Sequence, residues 1–367
     1  MSGAALMLLA QSLALPTGLV SAALLARWLS PAGYGVFALA SVLVAWVEWC
    51  IPSAFTRAST KFIAASSDPL EVGSSVLRLH LAAGVVVGAA LWLAAPALAS
   101  ALGEASLAGA IRLYAPDVPL FAAATAHRAI LTGTGRFNEV AAATAARWLV
   151  RLALMAALVG AGLGVEGAVA AVVLTSLVEL ALLRRGARPR LFGRAGVPLR
   201  GLLAFAAPLF LASVSLRLLD KLDIFALKWL GATTEEAGFY GAAQNLTFAS
   251  SLIALTFAPV LLATLSHAVR DGEEALARAL SRDSMRAVLW LMPFAALAAG
   301  ASGEIVGLIF GAEFGPAAVP LAPLVVGAVA LLMLSVANTT LIAGDRPRWA
   351  LAVVAPLPAA AVLGHMA

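Results

Sequence analysis

Runs of about 20 apolar residues, separated by short polar turns, recur from one end of this chain to the other, and they leave few choices of fold. The stretch "ALMLLAQSLALPTGLVSAALLA" near the start is typical, because it offers no polar face to water. Helices on the surface of a soluble domain carry such a face. Only 12% of the 367 residues are charged, about half the roughly 25% usual in soluble domains. The pattern therefore predicts an all-α, polytopic membrane protein. Eleven spans are expected, near 4–26, 35–56, 79–101, 113–132, 141–161, 166–184, 201–230, 239–265, 286–303, 318–343 and 348–366. No Lys or Arg precedes the first run, and its apolar stretch is long for a signal peptide, so it reads as an uncleaved span. Pro16, Pro116, Pro119, Pro208 and Pro259 fall inside spans, where a missing amide kinks a helix.

Orientation follows from the basic residues. With the amino terminus inside, the inner loops hold Arg57, Lys61, Arg78, Arg136 and the arginines of 184–200, 270–286 and 346–348, sixteen basic residues in all. The outer loops hold only Arg27 and Arg112. That bias places the chain in the cytoplasmic membrane with its amino terminus cytoplasmic. Topology also accounts for the net charge of +5, so no nucleic-acid partner is implied. "RRGARPRLFGRAGVPLR" (184–200) reads as a basic cytoplasmic linker, and "HAVRDGEEALARALSRDSMR" as a surface helix of mixed charge. The longest outer loop is expected around 304–317.

An internal repeat organises the spans. "RWLSPAGYGVFALA" (27–40) echoes "KWLGATTEEAGFYGAA" (228–243), and "ILTGTGRFNEVAA" (130–142) echoes "LIAGDRPRWALAV" (341–353). Both offsets equal six spans, which preserves orientation and predicts parallel repeats about an axis along the membrane normal. The expected lobes are 1–190, with spans one to six, and 201–367, with spans seven to eleven. The second lobe then lacks a counterpart of span six. Either the gene product continues past Ala367, or this protein lacks one span.

Motifs for chemistry are absent. None of the three lysines completes a Walker A loop, and no HExxH, paired CxxC or GxSxG occurs. "GLGVEG" (162–167) has dinucleotide-loop spacing but joins two alanine-rich helices, where its glycines suit a tight turn. Cys50 is the sole cysteine, and the four histidines show no ligand spacing, so neither a disulfide, a metal site nor a cofactor is implied. His127 beside Arg128 reads as a packed or cavity-facing neutral imidazole.

The charges inside spans are the unusual feature. Six bases (Arg128, Arg147, Arg151, Arg217, Lys221 and Lys228) face five acids (Glu48, Asp117, Glu179, Asp220 and Asp223). At about 100° per residue, Arg217, Lys221 and Lys228 fall within about 40° of one another, with Asp220 and Asp223 on the flank. Arg147 and Arg151, four residues apart, share a face of span five. Charges at bilayer depth usually face a bundle interior or a watery cavity. Two readings stand: internal ion pairs that lock the bundle, or cationic faces lining an anion-accepting cavity.

The hairpin "LSPAGYGVFALA", the segment "LLDKLDIFALKWLGATTEEAGFYGAA", "IVGLIFGAEFGPAA" (305–318) and the late "GDR" resemble bacterial polysaccharide biosynthesis proteins. These are lipid-linked oligosaccharide flippases of the multidrug/oligosaccharidyl-lipid/polysaccharide exporter superfamily. The resemblance runs through nearly the whole chain. It implies two pseudo-symmetric six-helix lobes around a central cavity, which moves an undecaprenyl-diphosphate-linked glycan outward by alternating access. One departure is the count of eleven spans, where the family has at least twelve. On this reading Arg147, Arg151, Arg217 and Lys221 attract diphosphate or acidic sugar, with Arg128 at the cytoplasmic mouth. Asp220, Asp223, Asp117 and Glu48 become ion-coupling or counter-charge candidates. The implied partners are the lipid-linked glycan, the bilayer and enzymes of cell-envelope polysaccharide assembly. A drug/cation antiporter of the same superfamily is the alternative. A membrane polymerase or ligase is disfavoured by the short outer loops, so the chain is expected not to be an enzyme.

Overall fold

The computed structural model describes residues 3–64, 66, 68–190 and 222–344. Every regular element among them is a helix, as a medium without water for backbone groups requires. Among the described residues, five helical stretches are long and apolar enough to cross a membrane, or six if the bent pair Glu274–Gly300 and Ser302–Phe310 is one span. Most of the expected span 201–230, all of 348–366 and the linker beyond Arg190 lie outside the described residues. The chain divides into two compact units, Met1–Gly238 and Phe239–Ala367.

In the first unit the helices run α1 (Gly3–Ser12), α2 (Ala14–Trp28), α3 (Pro31–Ala64), α4 (Pro69–Ala101), α5 (Leu107–Tyr114), α6 (Asp117–Gly133), α7 (Phe137–Leu158), α8 (Gly164–Gly186) and α9 (Leu222–Trp229). The first expected span is thus broken at Leu13. Pro16 explains the break, because its ring removes the amide that would bond the Ser12 carbonyl and crowds that carbonyl. Pro116 and Pro119 sit at the start of α6 and do not kink it, since the first turn has no intrahelical partners for its amides. Asp68 caps α4, accepting from the amides of Leu70 and Glu71 at 3.1 Å, with Pro69 in the first position.

Helix α6 is the centre of this unit and packs against α3, α4, α7 and α8. Its inward positions are alanines, Ala122, Ala123, Ala124, Ala126 and Ala129, all buried. On the α4 side, a Cβ at Gly84 would meet the Pro119 backbone at 2.8 Å, and one at Gly88 would meet the Ala115 carbonyl at 3.1 Å. Small residues four apart thus bring two backbones together, the usual source of van der Waals attraction between helices in lipid. The glycines of 162–167 form the tight turn between α7 and α8, with positive φ at Gly162 and Gly164. After α8 the chain leaves as a strap in which Ala187 and Pro189 are buried while Arg188 and Arg190 are exposed. The Arg190 amide pins it by donating to Ser74 Oγ at 2.9 Å.

Both copies of the repeated hairpin are built alike. A helix ends at Trp28 or Trp229, a short turn follows, and a long helix starts at Pro31 or Thr234.

The second unit comprises most of α10 (Thr234–Arg270), then α11 (Glu274–Leu289), α12 (Met292–Gly300), α13 (Ser302–Phe310) and α14 (Ala318–Ala343). Leu261, Leu265, Val288, Ala295, Val329, Leu332 and Val336 form its core. The mixed-charge helix α11 lays its apolar side on this core and is tied to α14 by a Ser281–Thr340 hydroxyl contact of 2.9 Å. Residues 304–317, expected as a loop, are largely helical, with Phe310 and Phe314 fully buried and their rings 5.9 Å apart. Val306 and Phe310 of the apolar "IVGLIF" run face inward, one turn apart, while Leu308 stays exposed.

Candidate functional site

Four helices of the first unit bring six ionisable side chains into one buried cluster. Glu48 comes from α3, Asp117 and Arg128 from α6, Arg147 and Arg151 from α7, and Glu179 from α8. Tyr114 of α5 lies within electrostatic reach of Arg151. Asp117 is fully buried, Glu179 is 1% exposed and Glu48 is 7% exposed. Isolated, any of these carboxylates would be strongly unfavourable at such depth. Three acids against three arginines make the cluster formally neutral.

Two halves can be distinguished. In the first, Glu179 Oε1 accepts from Arg128 Nη2 and Glu179 Oε2 accepts from Arg147 Nη1, both at 2.6 Å. One carboxylate therefore bridges two guanidiniums, with charge-assisted bonds near the short end of the usual range. The Phe121 ring supports the pair, lying 5.2 Å from the Arg147 carbon and 5.8 Å from that of Arg128, within cation–π distance. The Arg128 side chain is 29% exposed and that of Arg147 15%, so the cluster is reached from the Arg128 side.

The second half is less satisfied. Asp117, Glu48 and Arg151 sit within electrostatic reach of one another. Neither oxygen of Asp117 finds a hydrogen bond of good geometry, although Glu48 and Ser176 are its nearest polar neighbours. Arg151 Nε is buried without a partner. Buried polar groups that stay unpaired are uncommon in folded proteins. Here they leave bonding capacity beside a bridge that is already complete.

The structure thus assembles Arg128, Arg147, Arg151, Asp117 and Glu48 from the sequence-expected set. It places Asp223 apart, on α9, with its own carboxylate against the Ile224 amide. Lys228 lies in the last turn of α9 and donates to Thr234 Oγ1 at 3.1 Å. Arg217, Lys221 and Asp220 lie outside the described residues. Glu179 is the member of the cluster that carries no expected role, and its signal was a lone acid in the middle of an alanine-rich span. His127 packs as a buried imidazole, with Nδ1–H donating to the Ala123 carbonyl at 2.8 Å. Among the described residues no group of three or more potential ligands is arranged to hold a metal ion.

Several solved transporters share the polytopic helical fold of this chain. An inward-closed lipid II flippase, MurJ, superposes with a TM-score of 0.76 at 14% identity, over 92% of this chain and 76% of that one. An inward-facing multidrug resistance transporter of the MATE family matches with a TM-score of 0.66 at 17% identity, over 96% and 83%. A transporter of the same superfamily from Pyrococcus furiosus, described as having a binding pocket of reversed polarity, gives 0.65 at 16%, over 94% and 82%. At these identities the likeness defines the fold alone. No curated protein matches the sequence. The polysaccharide biosynthesis protein family matches residues 24–320, and the chain belongs to that family.

Proposed function

We propose that this protein is a flippase that moves a lipid-linked, anionic saccharide intermediate across the cytoplasmic membrane, with its amino terminus inside. The observation that carries the reading is the convergence of Arg128, Arg147 and Arg151 within one apolar bundle, two of them held by a single carboxylate. Guanidinium forks match the oxygens of a diphosphate, and arginine stays charged when partly desolvated. The headgroup would enter from the Arg128 side while the acyl chain stays in lipid. Family membership supports a glycan substrate, and enzymes of envelope polysaccharide assembly are its expected partners. Nothing in the cluster resembles a nucleophile–base pair, which fits transport better than bond making.

Reconstitution into liposomes with an undecaprenyl-diphosphate-linked oligosaccharide tests this. Wild type should expose the glycan to an outside enzyme, while Arg147→Ala and Arg151→Ala should not, at equal protein incorporation. A second reading, export of organic cations, is favoured by the buried Glu48–Asp117 neighbours. Cation uptake that needs both acids, with no glycan movement, would select it.

A further inference from the structure

We infer that Glu179 is an internal stand-in for the substrate's anionic headgroup, which occupies the arginine site when it is empty and must be displaced for substrate to bind. The inference rests on the arginine cluster being the headgroup site. Each Glu179 oxygen takes a different guanidinium at 2.6 Å, the same one-anion, two-fork arrangement that a phosphate group would adopt. Phe121 lies against both guanidiniums and fixes their spacing independently of Glu179. The two bonds are not equally protected. Arg147 is about half as exposed as Arg128, and Glu179 itself is 1% exposed. An incoming anion therefore meets Arg128 first and takes it from Glu179 Oε1, leaving the carboxylate on the deeper Arg147.

This exchange gives the site two properties. The empty cluster is neutral, so three arginines are held in the bundle without an uncompensated charge, which would be costly at that depth. Substrate also gains only the difference between its own bonds and those of Glu179. Affinity is held down, and the carboxylate can expel the headgroup by retaking Arg128 after translocation. A ligand that must be released needs such a competitor, since a site open to it in every state would only trap it.

Pyrophosphate binding to the full-length protein in detergent tests the inference. Glu179→Gln should tighten inorganic pyrophosphate by about tenfold, the worth of one charge-assisted bond no longer contested, while glycan translocation in liposomes slows. Glu179→Asp keeps the charge and protects folding, but its shorter arm cannot span both arginines, so it should tighten binding by a smaller factor. Asp117→Asn removes one negative charge without freeing either bonded guanidinium, and should change affinity least. Unchanged or weaker pyrophosphate binding in both Glu179 variants overturns the inference and makes Glu179 a structural tie. Equal tightening by Asp117→Asn overturns it too, because net charge alone would then explain the gain. If wild type neither binds pyrophosphate nor moves the glycan, the flippase reading fails and takes this inference with it.

Discussion

Arg147 shows how much of the site depends on side-chain shape as well as charge. It bonds Glu179 and lies over Phe121 at once, with a planar fork of donors that the compact lysine ammonium does not offer. Arg147→Lys is therefore expected to keep membrane abundance but cut glycan translocation about tenfold or more, read in the liposome assay. Glu104, in the loop after α4, makes a different residue-scale case. Its carboxylate accepts from the Ser106 hydroxyl and from Thr234 Oγ1, and these bonds, Ser106 first, hold its pKa below the ordinary carboxylate value. The stabilisation is thus complete above the unfolded carboxyl's pKa of about 4.3 and is lost as pH falls through the lower folded value. The melting temperature of wild type should exceed that of Glu104→Gln at about pH 6, and the difference should shrink as the solution is acidified through the carboxyl range. Helical periodicity made Arg147 and Arg151 readable as one face, because both lie on one helix. The tie of Arg128 to Glu179, 51 residues away, was not readable, since it depends on how α6 and α8 pack and no local pattern encodes that.

Between elements, α3 and the start of α10 cross closely. A Cβ on Gly35 would stand 1.9 Å from the Thr234 carbonyl oxygen, and one on Gly238 would stand 2.3 Å from that of Pro31. Each glycine faces the carbonyl four residues ahead of the other, so the contact is reciprocal. The two helices belong to the two copies of the repeated hairpin, which the sequence paired through "RWLSPAGYG" and "KWLGATTEEAGFYG". What the sequence did not reveal is that the copies touch. A single methyl at either glycine must push backbones apart, at a cost of about 1–3 kcal/mol. Gly35→Ala and Gly238→Ala should each lower the melting temperature, and the double variant should lose less than the sum, because both act on one contact. Additive losses would mean that the crossing is not shared. Elsewhere the sequence misjudged breaks: Pro293 opens α12 near a turn at Trp290–Leu291, splitting what hydropathy alone presented as one continuous span.

For the whole molecule, orientation decides what the arginine cluster meets first. Arg184 and Arg185 in the last turn of α8 and Arg188 and Arg190 in the strap beyond it are all exposed, and in the proposed orientation they face the cytoplasm. The loop carrying Glu104 and the hairpin turn at Gly231 then lie outside. Membrane insertion is governed by the excess of Lys and Arg in short loops, and acidic residues count for little, so the acids near these outer turns do not weaken the assignment. Because Cys50 is the single cysteine, replacing it with serine gives a blank background for topology mapping. Cysteines placed at Arg188 and at Glu104 should respond oppositely to a membrane-impermeant maleimide on intact cells: position 104 labels, and position 188 labels only after lysis. The reverse pattern would turn the molecule over and make the same cluster a receiver from outside, against export. Labelling of both from outside would require an even number of crossings between the two sites, whereas three helices, α6, α7 and α8, intervene between Glu104 and Arg188. Taking α6, α7 and α8 as one crossing each puts the two sites on opposite sides, so this one pair of labels tests the span assignment and the direction of transport together.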